Sequence, residues 1–394
     1  MKKTGPGKET PKKGVFQDPF VLTDTFIPKR IQHREEQIRD ITYHLSSLIH
    51  YGLLANNILI YGSPGTGKTH SVKRVLSNLK GEINALYGRA YRASSCHAFF
   101  RTFLERRFDV SLHPREGISI YYSAFEKALS HKKNILLVFD DIQYLLLEDP
   151  KGFDGLLFYL SRLEKNLGLI LIGNIRVNDL SLALGPPTAS SLRLRSVFFP
   201  KYNAKELRDI LTERAREALT ENAFRKSRAA LGKIAALTAQ GWGSARYGLD
   251  LLKEAGMVSE AILARAYITE EAVDRAERML EVGKIEEEIR NLPQQPMAVL
   301  ESVYRQKSKR DLSTGDVYSA YERICRERGV EAFSLRRVSD IITELDSAGL
   351  ISCRLVSRGR LGRTRLISWP SNPAFEKVYT REREEGLWAG ALKA

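Results

Sequence analysis

Eight residues carry the clearest chemistry in the chain: Gly62, Ser63, Pro64, Gly65, Thr66, Gly67, Lys68 and Thr69, with His70 directly after them. Phosphate oxygens need several donors at close quarters. Backbone N–H groups supply them only where no side chain blocks the approach, which explains Gly62, Gly65 and Gly67. A helix starting at Lys68 or Thr69 points the positive end of its dipole at the same place. The Lys68 ammonium is placed for the β and γ phosphates and the Thr69 hydroxyl for Mg²⁺. The site also requires an acid on a neighbouring strand. The run NILLVFDD ends in Asp140, the candidate metal partner, and Asp141, placed to polarise a water. Aspartates after a strand also cap helices, and that reading stands beside the metal one.

These residues need elements to hold them. The stretch from Ile31 to Leu54 has helical periodicity, with Ile38, Ile41, Leu45, Leu48 and Ile49 on one side. NILIY precedes the glycine loop as a strand, and the helix after the loop buries Val72, Val75 and Leu76. More helical material follows, then NILLVF and LGLILIG, runs too short for helices and apolar enough for central parallel strands. Strands separated by helix-length segments predict an α/β sheet with right-handed crossovers. From about Asn203 to Arg290 only amphipathic helices remain. LPQQP at 292–296 reads as a linker to a further domain of helices ending in a hairpin.

That last domain has its own chemistry. Ser334 caps a helix with Leu335, Val338, Ile341, Ile342 and Leu345 on one face and Arg336, Arg337 and Asp340 on the other, the pattern of a recognition helix. LISCRLVS and TRLISW then alternate like strands around RGRLGR. The tip carries Arg358, Gly359, Arg360 and Arg363, with Arg365 in the second strand, and suits a minor groove or a phosphate row. An arginine-rich turn can also be merely solvated.

Composition sets the outer limits. The chain has 394 residues, 43% hydrophobic and 28% charged, enough for two or three domains with sizeable cores. Its 62 basic and 47 acidic residues leave a net charge of +15, which favours a polyanionic partner. The three cysteines form no CxxC pair, and the seven histidines show no metal-ligand spacing, which argues against a disulfide framework or a zinc site. No run is long and apolar enough to span a bilayer, so the expectation is an intracellular, cytoplasmic protein without a membrane partner. The first 14 residues read as a disordered basic tail.

Taken together, these segments resemble the AAA+ ATPases, and more closely the archaeal origin-recognition/Cdc6-type replication initiators. FIPKRIQHREEQI, containing Ile31, is similar to the family's N-terminal box beside the adenine, and the glycine loop and NILLVFDD are similar to its Walker A and Walker B motifs. FPKYNAKELRDILTERA resembles the entry into its helical lid, GSARYGLDLLKEA its sensor 2 helix, and the segment from Ser313 to Ser368 its winged helix.

The resemblance implies an AAA+ P-loop parallel-sheet domain over 15–200, an α-helical lid over 201–291 and a C-terminal winged helix over 292–394. It implies ATP or ADP with Mg²⁺, and Arg246 near the γ-phosphate. It places sensor 1 at Asn174 or Asn178, and Tyr202 either against the adenine or in the core. Its implied partners are double-stranded origin DNA, other initiator subunits and the replicative helicase. Two departures stand out. Asp141 replaces the usual glutamate, which implies slow hydrolysis, and Pro187 falls where the family tends to carry an arginine finger, with Arg193 and Arg195 nearby. A second small-substrate pocket is not evident, which disfavours a kinase. The rival readings are a nucleotide-gated regulator acting at promoters and a nearly permanently ATP-bound paralogue that restrains a more active initiator.

Overall fold

The structure, a computed structural model, describes residues 14–385 apart from 53–55, 92, 109, 164–166, 242, 310 and 358–362. The chain divides into two compact units, one ending at Asp274 and the other beginning at Arg275.

The first unit opens with a 3₁₀ turn (Pro19–Leu22) and α1 (Glu35–Tyr51). The helix begins four residues later than Ile31, because Arg34 is not helical and serves as its N-cap residue. Then follow β1 (Asn57–Gly62), α2 (Lys68–Asn78), β2 (Asn84–Arg89), α3 (Cys96–Phe108), α4 (Ile118–Leu129) and β3 (Ile135–Asp140). After these come α5 (Gln143–Glu148), α6 (Pro150–Arg162), β4 (Leu167–Gly173), α7 (Val177–Ala183), α8 (Pro186–Leu192) and β5 (Leu194–Phe199). The five strands pair in parallel in the order β2-β3-β4-β1-β5.

Strand alternation explains the near-continuous apolar runs. Ile58, Ile60, Leu136, Val138, Ile170 and Ile172 face a core shared with Ile41, Leu45 and Leu48 of α1 and Val72 and Val75 of α2. Leu59, Leu137, Phe139, Leu169 and Leu171 face the opposite core, with Phe100, Phe103, Phe125 and Phe153. Each of these fully buried side chains contributes roughly 1.5–3 kcal/mol of transfer free energy. Two strands were not evident from the sequence. β2 and β5 are the sheet edges, where half or more of the positions are not buried, so neither reads as an apolar run.

The segment expected to form the lid contains α9 (Ala204–Ala218), α10 (Glu221–Lys226), α11 (Arg228–Gln240) and α12 (Ala245–Ala261). A reciprocal capping box between Asn203 and Glu206 starts α9. α13 (Glu270–Arg290) follows, and the division between the units falls within it.

The second unit contains α14 (Gln294–Tyr304), α15 (Thr314–Arg328), α16 (Leu335–Ser347), β6 (Ser352–Ser357), β7 (Arg363–Ser368) and α17 (Pro373–Glu384). Leu312 exchanges both backbone hydrogen bonds with Ile367, each at 2.8 Å, forming an isolated antiparallel bridge on β7. Val338, Ile341, Ile342 and Leu345 of α16 join the core of this unit. Leu335 does not: it is 49% exposed, because it opens the helix one turn before the packed stretch. Among the described residues no helix is long and apolar enough to cross a membrane.

Candidate functional site

Phosphate-type chemistry is concentrated at the C-terminal edge of the parallel sheet, where open α/β sheets place their ligands. A cavity of about 390 Å³ opens there, lined by Pro64, Gly65, Gly67, Lys68, Thr69 and His70 of the loop. Asp140 and Asp141 after β3, Asn174 after β4, and Ile31, Tyr202 and Arg246 line it too. Gly62, Ser63 and Thr66 stand behind this wall and act through their carbonyls. Lys68 Nζ donates to Gly62 O at 2.7 Å and to Ser63 O at 2.8 Å, which folds the ammonium into the loop. Burial pushes its pKa down to about 8, with Asp140 and Asp141 opposing.

At Gly65 a close approach and a left-handed backbone both require glycine. A Cβ at Gly65, where φ is +73°, would lie 1.8 Å from Ser244 Oγ. Ser244 caps α12, and Ala245 N–H donates to Gly65 O at 3.0 Å, so the lid helix is seated directly on the loop. Arg246, one residue further, pairs with Asp24 at 2.9 Å across the cavity mouth.

The two acids are held differently. Thr69 Oγ1 donates to Asp140 Oδ2 at 2.9 Å, and the Tyr87 hydroxyl of β2 donates to the same oxygen. Asp140 is 3% exposed, and burial raises its pKa. Asp141 has a left-handed backbone, φ 60°, and its carboxylate accepts from Arg89 Nε at 2.6 Å. Thr69 and Asp140 therefore form an adjacent pair of oxygen donors suited to Mg²⁺, an ion that commonly takes one or two protein ligands and completes its shell with phosphate and water. Among the described residues no group of three or more His, Cys, Asp or Glu is assembled to hold a metal alone. Lys68, the glycine cradle at the start of α2 and this pair fit a magnesium–nucleotide.

Arg34 does not line the cavity but packs on Tyr202, which does, and was missed from sequence. It is 1% exposed, donating to Thr66 O at 2.9 Å, His33 O at 2.8 Å and Pro200 O at 2.6 Å. Its guanidinium lies 3.7 Å from the centroid of the Tyr202 ring. Tyr202, 4% exposed, thus belongs to the core and also lines the cavity. Asn174 lines the cavity, and Asn178 lies on α7 outside its lining. Pro187, Arg193 and Arg195 are exposed, the first within α8 and the last on β5. Tyr87 and Arg89 were also missed. The signal for both is the register of β2 on β3, which sets Arg89 opposite Asp140.

In the second unit, Ser334 accepts from Arg337 N at 3.5 Å and caps α16. Arg336 and Arg337 are exposed, and Arg337 pairs with Glu344 at 3.1 Å. Arg365 donates to Ser339 O at 3.2 Å and Thr343 Oγ1 at 3.0 Å, tying β7 to α16. Arg358, Gly359 and Arg360 lie outside the described residues, and Arg363 opens β7.

Comparison with known proteins agrees with both halves. Residues 53–180 match the AAA domain family, 208–278 the Cdc6 AAA+ ATPase-type lid domain and 287–374 the CDC6 C-terminal winged helix domain. The chain is 34% identical over 370 residues to ORC1-type DNA replication protein 1 of Sulfurisphaera tokodaii, covering 91% of each. It is 32% identical over 388 residues to the ORC1-type DNA replication protein of Thermococcus kodakarensis, covering 94% of this chain and 92% of that one. The Aeropyrum pernix ORC1 protein, solved in complex with DNA, superimposes with a TM-score of 0.81 at 30% identity, covering 95% of this chain and 98% of that one. With its AAA, lid and winged-helix segments in this order, the chain belongs to the ORC1-type, Cdc6-related family of DNA replication proteins.

Proposed function

We propose that the chain is an ATP-switched replication initiator that binds double-stranded origin DNA and helps recruit or load the replicative helicase. The observation that carries the nucleotide half is one cavity lined by Lys68 and Thr69 at the start of α2, by Asp140, and by Arg246 from the lid. A bound ATP·Mg²⁺ supplies a γ-phosphate whose loss changes the charge held in that cavity. Lys68 and the first N–H groups of α2 neutralise phosphate charge, while Thr69 and Asp140 hold the metal. Asp141 orients and deprotonates the attacking water, and Asn174 hydrogen-bonds beside it. Arg246 joins the lid to the phosphates, so sheet and lid favour one mutual arrangement when occupied.

Turnover is slow in this reading. Asp141 is short and held by Arg89, and Pro187 leaves the finger position without a cation. The DNA half rests on exposed Arg336 and Arg337 at the start of α16, next to the arginine-bearing hairpin. Other copies of the initiator are its expected partners at the origin, and its place is the cytoplasm, at the nucleoid. The test is a chromosome-wide map of cross-linked sites compared with the positions where replication forks start. Coincidence is expected, whereas sites spread over promoters and absent from fork origins would sink the proposal in favour of a transcription regulator.

A further inference from the structure

Arg214 is a charged side chain that the protein buries while leaving two of its three nitrogens without a partner. It lies on α9 and is 5% exposed, and its Nε and Nη1 have no hydrogen-bond partner among the described residues. Its guanidinium sits 4.4 Å from the centroid of the Phe26 ring. Burial pushes its pKa down to about 10, with Glu217 and Glu213 opposing through space. Arg34, 1% exposed in the same unit, satisfies all three nitrogens on carbonyls. A buried donor left unpaired costs roughly 1–3 kcal/mol, so two such groups on one side chain call for an acceptor from outside the protein.

The surroundings of Arg214 identify that acceptor. Arg214 lines the nucleotide cavity, as does Ile210, which is four residues earlier on the same face of α9. Ile31, Tyr202 and Gln32 line it as well, and Gln32 Oε1 is a second buried polar atom without a partner. The cations serving the phosphates are accounted for elsewhere: Lys68 rests on loop carbonyls and Arg246 on Asp24. An aromatic ring beneath the guanidinium, aliphatic neighbours and unpaired donors and acceptor match a heterocycle and sugar better than a phosphate chain.

We propose that Arg214 is the lid's donor to the nucleoside half of the bound nucleotide, at a ring nitrogen or ribose oxygen, with the Gln32 carboxamide oxygen as the accompanying acceptor. This rests on the nucleotide reading given above. Through it the lid senses the base and sugar independently of the γ-phosphate. ADP therefore keeps the lid engaged at this point after hydrolysis.

The test titrates the full chain with ADP and, separately, with inorganic tripolyphosphate, which has the phosphates and no nucleoside. Arg214→Met keeps the apolar stem and removes the donors. Its expected result is ADP affinity about tenfold or more weaker, from the loss of charge-assisted hydrogen bonds, with tripolyphosphate affinity unchanged. Unchanged ADP affinity, or equal losses for both ligands, overturns the proposal. Thermal unfolding of the variant checks the fold. Should Arg214→Met not fold, Arg214→Lys keeps the charge and loses the planar fork, and is expected to lose ADP affinity severalfold without losing tripolyphosphate. Parental ADP affinity in the lysine variant overturns the proposal as well. If the parent chain binds no ADP, the nucleotide site itself has failed and this inference falls with it, an outcome distinct from the variant results.

Discussion

Arg89 and Asp141 are joined across the end of the sheet: the guanidinium Nε of the last residue of β2 lies 2.6 Å from the carboxylate that follows β3. The pair raises the pKa of Arg89, and it occupies an oxygen of the residue proposed as the base. A carboxylate oxygen tied to a guanidinium is not free to hold and orient a water. Arg89→Ala is therefore expected to raise basal ATP turnover roughly three- to tenfold, the size of a partly exposed ion pair of about 1 kcal/mol. Phosphate release measured on parent and variant decides it, and an equal or lower rate contradicts the assignment.

Arg34 ties the start of α1 to the phosphate loop at Thr66 and to the lid junction at Pro200. Arg34→Met leaves three carbonyls without their donor and is expected to cost about 2–4 kcal/mol in urea unfolding. Arg34→Lys should recover little of this, because a single ammonium cannot reproduce the planar fork and the stacking on Tyr202. A lysine variant as stable as the parent would show the guanidinium geometry to be unimportant.

The depressed pKa of Lys68, about 8, makes nucleotide affinity depend on pH. Below that value the free site already carries the ammonium. Above it a proton must be taken up for the charged form to meet the phosphates. ATP affinity is expected to be flat from pH 6.5 to 7.5 and to fall by up to tenfold per pH unit above about 8. Titration calorimetry in buffers of different ionisation enthalpy measures both the affinity and the proton uptake. Affinity level through pH 9 contradicts the burial of a titrating lysine.

Arg336 is exposed, and Arg337 is exposed with its head on Glu344. If both reach DNA phosphates, replacing each by glutamine lowers the slope of log K against log salt by roughly 0.9 for every phosphate that is no longer neutralised. Arg337 must leave Glu344 to do so, and Glu344→Gln should therefore tighten DNA binding by up to severalfold. Anisotropy titrations across a salt series test both. Unchanged slopes in the two glutamine variants would remove α16 from the interface.

What could be read from the sequence depended on how local the cause was. The phosphate loop, β1, β3, β4 and the α16 pattern each arise within a dozen residues, from backbone approach or alternation, and could be read directly. Edge strands β2 and β5 could not, because exposure on the sheet margin dilutes their apolar content. The buried arginines were invisible for a different reason. Nothing in RIQHREE marks Arg34 as buried, since its acceptors at Thr66 and Pro200 are 32 and 166 residues away. Asp24 on Arg246, Tyr87 on Asp140 and Arg89 on Asp141 are likewise products of the assembled sheet and lid.

The most direct measurement is an ATP·Mg²⁺ titration of the full chain beside its Lys68→Ala variant. The parent is expected to bind one equivalent, and the variant at least a hundredfold more weakly, since the ammonium that the loop carbonyls hold in the cavity is gone. Equal affinity in the two proteins would contradict the placement of the nucleotide and, with it, the switch built upon that site.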